Sequence, residues 1–491
     1  MPFPFLNLFV KKPVTKPKGY EDIICLNTAC MRTFTHEDRL FRLKPPLEVE
    51  RYHREHMDSV GKKSILSDEY SELSDDPYGY LDDEDKTPIS ERERPANAEL
   101  EEKNEYYYDN IGSEEPKYLS ILDDSLCNQP DMEVVPDDEN AYRVFLEHSA
   151  ATGFVIGISD KYGIVTHEAV CPFCKSDLYP HAGLYETIII PILGVSQSGK
   201  TVMMSKGLGP FLQEAVPKMM SEGSVYDEEG RKYLKTLEIK LKNREKIEAS
   251  NAVERLMWMV RSAEKKVVLL TFDMPGEYIA NSNDKDAQFF RETNLRNVLQ
   301  CAKGLIIIIS PEQITKLIKD NATSYDSEEE NIKNKVKLRQ IMDMLRLVER
   351  DSDPAKLLQK KQIPTSFILT KIDMLEDDYE GPVSIHMLKD EQLKNKIEEV
   401  ISYSPYQCRG NKVSFGDFSY ITGITEEVFD GLIKNEKHGL YDLLGRDRKL
   451  ACFGTSIQGS DTNADVVKPP KRPYDPFYWL FTQIGLFESQ S

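Results

Sequence analysis

The chain lacks two features that would place a protein outside the cell or in a membrane. It has 8 cysteines among 491 residues, whereas secreted disulfide scaffolds are small and rich in cysteine. It also has no run of about 18 uncharged apolar residues, the length that a membrane-spanning helix needs. The N-terminal stretch MPFPFLNLFVKK is apolar, but it has two prolines and no basic leader before its apolar part. We therefore expect a soluble, cytoplasmic protein.

Basic residues are also in short supply, since 63 Lys and Arg stand against 83 Asp and Glu, for a formal net charge of −20. The imbalance lies in one segment: residues 67–140 contain 25 acidic and 5 basic residues, and the two signs balance elsewhere. Nucleic-acid surfaces need clustered Lys and Arg, so we expect no nucleic-acid partner. High net charge with few aliphatic residues cannot bury enough surface to offset chain entropy. The segment 67–140 is therefore predicted to be a mostly disordered insertion.

From about residue 185 the chain alternates short apolar runs with polar, helix-forming stretches. The runs TIIIPIL, KKVVLLTFD, GLIIIIS and PTSFILT are continuous and short, which is typical of parallel strands buried on both faces. Predicted helices begin at Lys200 and cover about 287–301 and 331–350. This alternation predicts an α/β domain over residues 185–491, with a mostly parallel sheet and helices on both faces.

The first of these strands runs into GVSQSGKT, which matches the phosphate-loop pattern G-x-x-x-x-G-K-[ST]. Glycines let the backbone wrap around phosphates, whose charge is met by amide groups and by the positive end of the following helix. Lys200 would neutralise the β- and γ-phosphates, and the Thr201 hydroxyl would bind magnesium. The predicted phosphate-binding residues are Gly194, Ser196, Gln197, Ser198, Gly199, Lys200 and Thr201.

A second motif follows the strand KKVVLLTFD, which ends at Asp273 and continues as MPGE. A carboxylate at a strand tip beside the phosphate loop can hold magnesium, while the Gly276 amide can contact a γ-phosphate and respond to its loss. The stretch ERLMWMVRSAEKKVVLLTFD predicts a hairpin whose second strand ends at Asp273. The predicted catalytic residues are Lys200, Asp273 and Glu277.

A third motif, TKID, indicates which base is bound. It places Thr370, Lys371 and Asp373 after the apolar strand PTSFILT. An aspartate here can accept hydrogen bonds from the ring N–H and the exocyclic amine of guanine, whereas adenine offers no such pair of donors on that edge. The aliphatic part of Lys371 can lie along the base and ribose. The motif therefore predicts that the nucleotide is GTP or GDP.

Together, GVSQSGKT, DMPG and TKID resemble the motifs of Ras-like P-loop GTPases of the TRAFAC clade. The closing segments LACFGTSIQG and VKPPKRPYDPFYWLFTQIGL resemble the last strand, base-contacting loop and terminal helix of bacterial double-GTPase or TRAFAC-clade GTPase-domain proteins. Those proteins often carry cysteine-rich segments ahead of the GTPase domain. The resemblance implies a bacterial switch protein that binds GTP and Mg²⁺ and has an effector or activating protein as partner. It also implies that Ser456 and Ile457 lie near the guanine. One large branch of P-loop GTPases is expected to have an antiparallel edge strand paired with the Asp273 strand, so the resemblance implies that the first strand of the hairpin lies at the sheet edge.

The chain departs from that family at positions that bear on turnover. Thr370 replaces the usual asparagine, which predicts weaker bracing between loops. Glu277 stands where Ras-like enzymes have a water-orienting glutamine, so hydrolysis is expected to be slow or to need a partner's arginine. Thr236 is the only threonine between Val202 and Lys265, and it is not assigned as the switch threonine.

The alternative functions are a GTP-binding scaffold with negligible turnover and a P-loop ATPase. The segment GDFSYITGITEEVFDGL is an alternative base-contacting loop.

Two cysteine pairs precede the phosphate loop, with the spacings C-x4-C and C-x2-C. They are Cys25 and Cys30, and Cys171 and Cys174. Four thiolates suit a tetrahedral zinc ion, and the acidic segment would then interrupt a single zinc-ribbon-like module, since the closure cost grows only slowly with loop length. The alternative is that the four cysteines are free buried thiols or that the two pairs are unrelated. His36 and His181 are reserve ligands, and the other four cysteines are interpreted as ordinary buried or loop residues.

The predicted domain organisation follows from these motifs and from the charge distribution. Residues 1–66 are an N-terminal segment with the first cysteine pair, 67–140 the acidic insertion, 141–184 the second half of the zinc-ribbon-like module, and 185–491 the GTPase domain.

Overall fold

The computed structural model describes residues 21–42, 49, 51–54, 100–104, 118–120, 126–127, 144–148, 154–159, 165–179, 182–194, 198–218, 222–225, 228–243, 254–261, 266–274, 285–311, 363–375, 390–402, 408–409, 412–414, 416–433, 449–457 and 470–490. The chain divides into two compact units, one of Met1–Thr33 with Tyr185–Ser491 and one of Phe34–Leu184. The apolar N-terminal stretch, most of the acidic segment and the predicted helix at about 331–350 lie outside the described residues.

Short strands form small sheets in the first part of the chain. β1 (Ile23–Ile24) and β2 (Thr33–Phe34) pair with each other. Further strands make a three-stranded sheet in the order β4-β3-β9 and a four-stranded sheet in the order β5-β6-β7-β8. These are β3 (Leu40–Arg42), β4 (Tyr118–Ser120), β5 (Leu126–Cys127), β6 (Val144–His148), β7 (Val155–Ser159), β8 (Val165–Thr166) and β9 (Ala169–Val170). β4 and β5 lie within the acidic segment 67–140, at the sequences YLS and LC. These short sequences are less polar than the segment as a whole, so its average composition did not predict them.

A seven-stranded sheet carries the second part of the chain, in the order β11-β12-β13-β10-β14-β15-β18. Every neighbouring pair from β13 through β10, β14 and β15 to β18 is parallel, which confirms the mostly parallel α/β sheet predicted from the apolar runs. The strands are β10 (Glu186–Gly194), β11 (Glu222–Val225), β12 (Glu254–Arg261), β13 (Lys266–Asp273), β14 (Leu305–Ile309), β15 (Thr365–Leu369) and β18 (Leu450–Gly454).

The predicted hairpin before Asp273 is present, because β12 pairs antiparallel with β13 in a register that places Glu254 opposite Asp273 and Arg261 opposite Lys266. The prediction that its first strand lies at the sheet edge is wrong. β11 pairs antiparallel with the outer side of β12, so β12 has a neighbour on each side. This explains why Trp258, in the middle of β12, is fully buried.

Six helices longer than a few residues occur in the described part of the chain. α1 covers residues 200–218 and includes two π-helical stretches, Met203–Leu208 and Phe211–Ala215. The others are α2 (Glu228–Lys242), α3 (Lys285–Cys301), α4 (Glu391–Ser402), α5 (Gly416–Ile433) and α6 (Asp475–Gln483). A last small sheet contains β16 (Cys408–Arg409), β17 (Lys412–Ser414) and β19 (Glu488–Gln490). No described helix is both long and apolar enough to cross a membrane.

Both faces of the large sheet are covered. Side chains alternate between faces along a strand, yet consecutive residues such as Ile188 and Ile189 are both buried. On one face, Ile188 and its equivalents on the other strands join a core with α1 and α6. On the other face, Phe367 of β15 packs edge-on against Phe429 of α5. The continuous apolar runs in the sequence are explained by this two-sided burial.

Candidate nucleotide site and cysteine cluster

The predicted phosphate loop begins at the carboxyl end of β10, in the middle of the sheet. A methyl group on Gly194 would lie 2.6 Å from Ser198 Oγ and 2.7 Å from the Ile308 carbonyl oxygen, so only glycine fits there. Gly199 has φ +88°, a left-handed conformation that favours glycine. Ser196 and Gln197 lie outside the described residues, and their contacts to phosphate remain predictions.

Lys200 is the first residue of α1 and is buried, although its side chain ends in a charged group. Its Nζ donates a hydrogen bond to the Gly194 carbonyl at 2.7 Å. This bond joins the first residue of α1 to the last residue of β10.

Thr201 and Asp273, the two predicted magnesium ligands, are brought together although 71 residues separate them in the sequence. The Thr201 hydroxyl donates to Asp273 Oδ2 at 3.3 Å. Asp273 is the last residue of β13 and is almost fully buried. A hydroxyl and a carboxylate are the hard oxygen donors that Mg²⁺ prefers, so this pair suits the metal. Gly276 and Glu277 lie outside the described residues.

Thr370 connects the third motif to the phosphate loop. Its backbone N–H donates to the Ile309 carbonyl (2.9 Å), and its hydroxyl lies 2.6 Å from the Ser198 carbonyl and 3.1 Å from that of Ile309. The Thr370 side chain thus joins the two loops, and the weaker bracing expected relative to asparagine stays a prediction. The hydroxyl reaches the Ser198 carbonyl directly, because Thr370 follows β15 at the same edge of the sheet as the loop.

Lys371 and Asp373 follow at the same edge. Lys371 has φ +53°, which turns the chain after the strand, and Asp373 lies in the short 3-10 helix Ile372–Leu375. The Ile372 backbone N–H donates to the Thr455 carbonyl (3.2 Å), which joins this motif to the loop after β18. The alternative base-contacting segment GDFSYITGITEEVFDGL lies largely within helix α5, so it does not form a loop at this edge.

Ser456 is buried in the loop after β18, and the chain returns to it at Lys471. The two residues exchange backbone hydrogen bonds, at 2.9 Å from Ser456 N–H and 2.6 Å from Lys471 N–H. Burial lowers the pKa of Lys471, and the nearby Asp373 carboxylate partly offsets this effect. Lys471 therefore lies close to Ser456 and Asp373, two of the residues predicted to contact the base. Sequence reasoning missed it, because nothing in KPPKRPY distinguishes one lysine from another.

A buried ion pair shapes the segment that carries Lys471. Arg472 has φ +53°, and its Nε donates to Asp475 Oδ2 at 2.7 Å. Asp475 is the first residue of α6, and the carbonyl of the following Pro476 accepts a hydrogen bond from Ser366 Oγ (3.0 Å) on β15. The terminal helix thus fixes the Lys471 segment against the sheet. Ile457 also packs close to Gly207 of α1.

The hydroxyl of Thr236, the only threonine between Val202 and Lys265, is hydrogen-bonded within its own helix. Thr236 lies exposed on α2, where its Oγ1 donates to the Lys232 carbonyl at 2.9 Å. This is the ordinary i to i−4 bond of a threonine inside a helix. No position in the described residues of this segment is identified as a switch threonine.

The four cysteines predicted to bind zinc come together. Their sulfur atoms all lie within 4.8 Å of one another, in a group of Cys25, Cys30, Cys171 and Cys174. Four sulfurs about 2.3 Å from a tetrahedral zinc are separated by roughly 3.8 Å, so this arrangement fits the ion after small shifts. The separation of the pairs in sequence is therefore no obstacle to a shared site.

Each cysteine pair lies in a tight turn of the same kind. In the first knuckle, residues 25–32, the Cys25 N–H donates to the Arg32 carbonyl (3.0 Å). In the second knuckle, residues 171–176, the Cys171 N–H donates to the Ser176 carbonyl (2.9 Å). The residue after the second cysteine has a positive φ in both, 44° at Met31 and 61° at Lys175. Such φ values are uncommon for residues other than glycine, so both turns hold a non-glycine residue in an uncommon backbone conformation.

The two reserve histidines do not belong to this group in the described part of the chain. The His36 ring is stacked on Phe154 with ring centroids 5.9 Å apart. Arg39 lies over the same Phe154 ring at 4.4 Å, and its Nε donates to the His36 carbonyl (2.9 Å). His36 is thus a core residue, and His181 lies outside the described residues.

No protein-family model matches the chain, and no curated protein matches it. Among solved structures, the chain is similar to the signal recognition particle receptor SRb-GTP/SRX complex from Chaetomium thermophilum, with 12% sequence identity and a TM-score of 0.26. The similarity covers 60% of this chain and 97% of that chain. Function is therefore inferred from the residues of this chain.

Proposed function

We propose that this protein is a magnesium-dependent guanine-nucleotide switch that hydrolyses GTP slowly or with the help of a partner protein. One observation carries the proposal: three motifs that are far apart in sequence meet at the carboxyl edge of one parallel sheet. Lys200 and Thr201 follow β10, Asp273 ends β13, and Thr370 follows β15. This edge is where open α/β sheets bind ligands.

Each motif has a distinct role in the proposed site. Lys200 and the amides of the loop would hold the β- and γ-phosphates, and Thr201 and Asp273 would hold magnesium, which neutralises charge that develops on the phosphates. Gly276 would contact the γ-phosphate, so that its loss changes the segment after Asp273. Glu277 cannot present an amide to orient water, which is the reason to expect slow turnover.

The choice of guanine depends on Asp373, with Lys371 and Ser456 beside the base. GDP is expected to bind at least tenfold more tightly than ADP. Asp373→Asn should lower GDP affinity and improve binding of xanthosine diphosphate, because the asparagine amide can donate to the O2 carbonyl that xanthine has in place of the guanine amine. Thermal unfolding of the variant without ligand checks that it folds. Equal affinity for GDP and ADP, or an unchanged preference in Asp373→Asn, would contradict the assignment.

Hydrolysis is tested by multiple-turnover phosphate release from GTP. Lys200→Ala should abolish both nucleotide binding and phosphate release, since the buried ammonium is the one cation positioned over the described part of the loop. Lys206→Ala, on the same helix but beyond the loop, is the matched control and should keep the wild-type rate. A Lys200→Ala protein with unchanged phosphate release would mean that the activity belongs to a contaminant.

A second candidate is a GTP-binding scaffold with negligible turnover. Its support is Thr236, whose hydroxyl is bonded to Lys232 within a helix, together with Glu277 at the position where a glutamine is usual. Tight binding of GTP with less than one turnover in hours, with and without cell extract, would favour the scaffold. Phosphate release that extract accelerates would favour the switch and indicate an activating protein.

We further propose that the four clustered cysteines hold one structural zinc ion. Metal analysis of the purified protein is expected to give one zinc per chain, and the double substitution Cys171→Ser and Cys174→Ser should remove it. Cys452→Ser is the matched control, because this cysteine is buried in β18. Equal zinc content in the double variant and the wild type would rule out this site.

A further inference from the structure

The first knuckle is hydrogen-bonded to helix α3. The side-chain amide of Asn297 donates to the Thr28 carbonyl (3.1 Å) and to the Ala29 carbonyl (3.2 Å). The Cys301 thiol donates to the Met31 carbonyl (3.2 Å). Asn297 and Cys301 are four residues apart and so lie on one side of the helix. This part of α3 therefore holds the turn that positions the sulfurs of the first cysteine pair.

The same helix is fixed to the strand that carries the phosphate loop. Leu295 and Val298 of α3 are fully buried. Just after the helix ends, the Lys303 backbone N–H donates to the Ile189 carbonyl of β10 at 2.9 Å. β10 ends at Gly194, whose carbonyl accepts the hydrogen bond from Lys200. β1, which leads into the first knuckle, also contacts β10.

The first helix described after Asp273 thus connects the first knuckle with the phosphate-loop strand. We infer that zinc binding at the knuckle and nucleotide binding at the loop are thermodynamically linked through α3, with each ligand strengthening the other. This inference rests on the proposed nucleotide and zinc binding. Zinc would order the first knuckle and the nucleotide would order the loop after β10, and α3, with Lys303 just after it, is hydrogen-bonded to both the knuckle and β10. When the first ligand has ordered this shared helix, binding of the second ligand costs the protein less conformational entropy. The strengthening must be reciprocal.

The test measures both affinities in a cycle. Zinc affinity is determined by competition with a chelator, without nucleotide and with saturating GDP or a non-hydrolysable GTP analogue. The affinities of the two nucleotides are determined with zinc and after chelation. We expect each ligand to raise the affinity of the other by at least about 5-fold, the lower end of usual couplings. The two factors should agree within error.

Asn297→Ala should reduce the coupling factor to below 2-fold while zinc and nucleotide still bind. Gln300→Ala is the matched control, because Gln300 is exposed on the same helix turn and should keep the wild-type factor. Cys301→Ser retains a hydrogen-bond donor for the Met31 carbonyl and should keep most of the wild-type coupling factor. Equal coupling in Asn297→Ala and wild type would overturn the role of α3.

A readout that does not depend on measuring zinc affinity is amide hydrogen exchange in the first knuckle. Adding either nucleotide to the zinc-loaded protein should slow exchange at Cys25 and Cys30, whose amides are bonded within the knuckle, and Asn297→Ala should abolish this slowing. Zinc and nucleotide that bind with mutually unchanged affinities would overturn the linkage alone. A zinc-loaded protein that binds neither nucleotide would overturn the linkage and the proposed function together.

Discussion

At the scale of single residues, the Thr370 hydroxyl joins two loops. Thr370 is almost fully buried, and its hydroxyl lies 2.6 Å from the Ser198 carbonyl. Removing one partner from a buried hydrogen bond costs about 1–3 kcal/mol. The Ser198 carbonyl lies beside Gly199 and Lys200, so this bond is expected to help position the phosphate loop.

Thr370→Val should therefore lower both nucleotide affinity and the free energy of unfolding, the latter by about 1–3 kcal/mol. Valine has nearly the shape of threonine but no hydroxyl. Thr370→Ser keeps the hydroxyl and is expected to retain wild-type nucleotide affinity within about 3-fold. Nucleotide titration and urea unfolding of the two variants provide the measurement. A valine variant that binds like the serine variant would show that the bond does not position the loop.

The position of a residue within a contiguous motif could be predicted from the sequence. The position of a residue that a distant part of the chain brings to the site could not. Lys200 and Thr201 follow strand β10 and Asp273 ends strand β13, as the motifs predicted. Such motifs can be recognised because binding of phosphate and metal would restrict the residue types at these positions. Lys471 is joined to the Ser456 loop by a backbone bridge. Its position depends on the buried Arg472–Asp475 pair, which has no recognisable sequence pattern.

At the scale of secondary-structure elements, the helix after the phosphate loop is anchored by one aromatic residue. Phe211 on α1 is fully buried, with five aromatic rings from the C-terminal region around it at centroid distances of 4.9–6.1 Å. Those rings belong to Tyr474, Phe477, Tyr478, Phe481 and Phe487. The terminal helix α6 therefore stabilises α1, the helix that carries the predicted phosphate and magnesium ligands at its start.

Phe211→Ala is expected to lower the free energy of unfolding by about 3–5 kcal/mol, because it leaves a cavity among these rings. Ile239→Ala on α2 is the matched control, since Ile239 is half exposed and its loss should change stability by less than about 0.5 kcal/mol. Chemical denaturation of both variants measures the difference. Similar losses in the two variants would mean that the aromatic cluster is not a main anchor of α1.

Element type was predictable where the hydrophobic pattern is strong and both faces of a strand are buried, as in β10, β13, β14 and β15. β11 was not predicted, because its sequence EGSV contains glycine and serine and has no apolar alternation. It is a strand through its pairing with β12, which is a tertiary effect. The π-helical stretches of α1 were not predicted either, since a π-turn differs from an α-turn in backbone hydrogen bonding and leaves little trace in side-chain pattern.

At the scale of the whole molecule, one thiol links stability to alkaline pH. Cys452 lies in β18 and is almost fully buried. Burial raises its pKa well above the usual value, and the carboxylates of Glu426 and Asp430 add to the effect. In the unfolded chain the thiol ionises near pH 8.5, while in the folded chain it keeps its proton. Above that pH the unfolded state binds fewer protons, so stability is lost as the pH rises.

The free energy of unfolding should therefore be insensitive to Cys452 below about pH 8.5 and should fall above it, by up to about 1.4 kcal/mol per pH unit from this one group. Cys452→Ala should remove that component of the slope, although its stability at neutral pH is lower because of the small cavity. Urea unfolding of both proteins from pH 7 to 10 gives the difference curve, in which other groups that titrate equally in both proteins cancel. Parallel curves above pH 8.5 would mean that the thiol also ionises in the folded protein, and that water reaches the interior of β18.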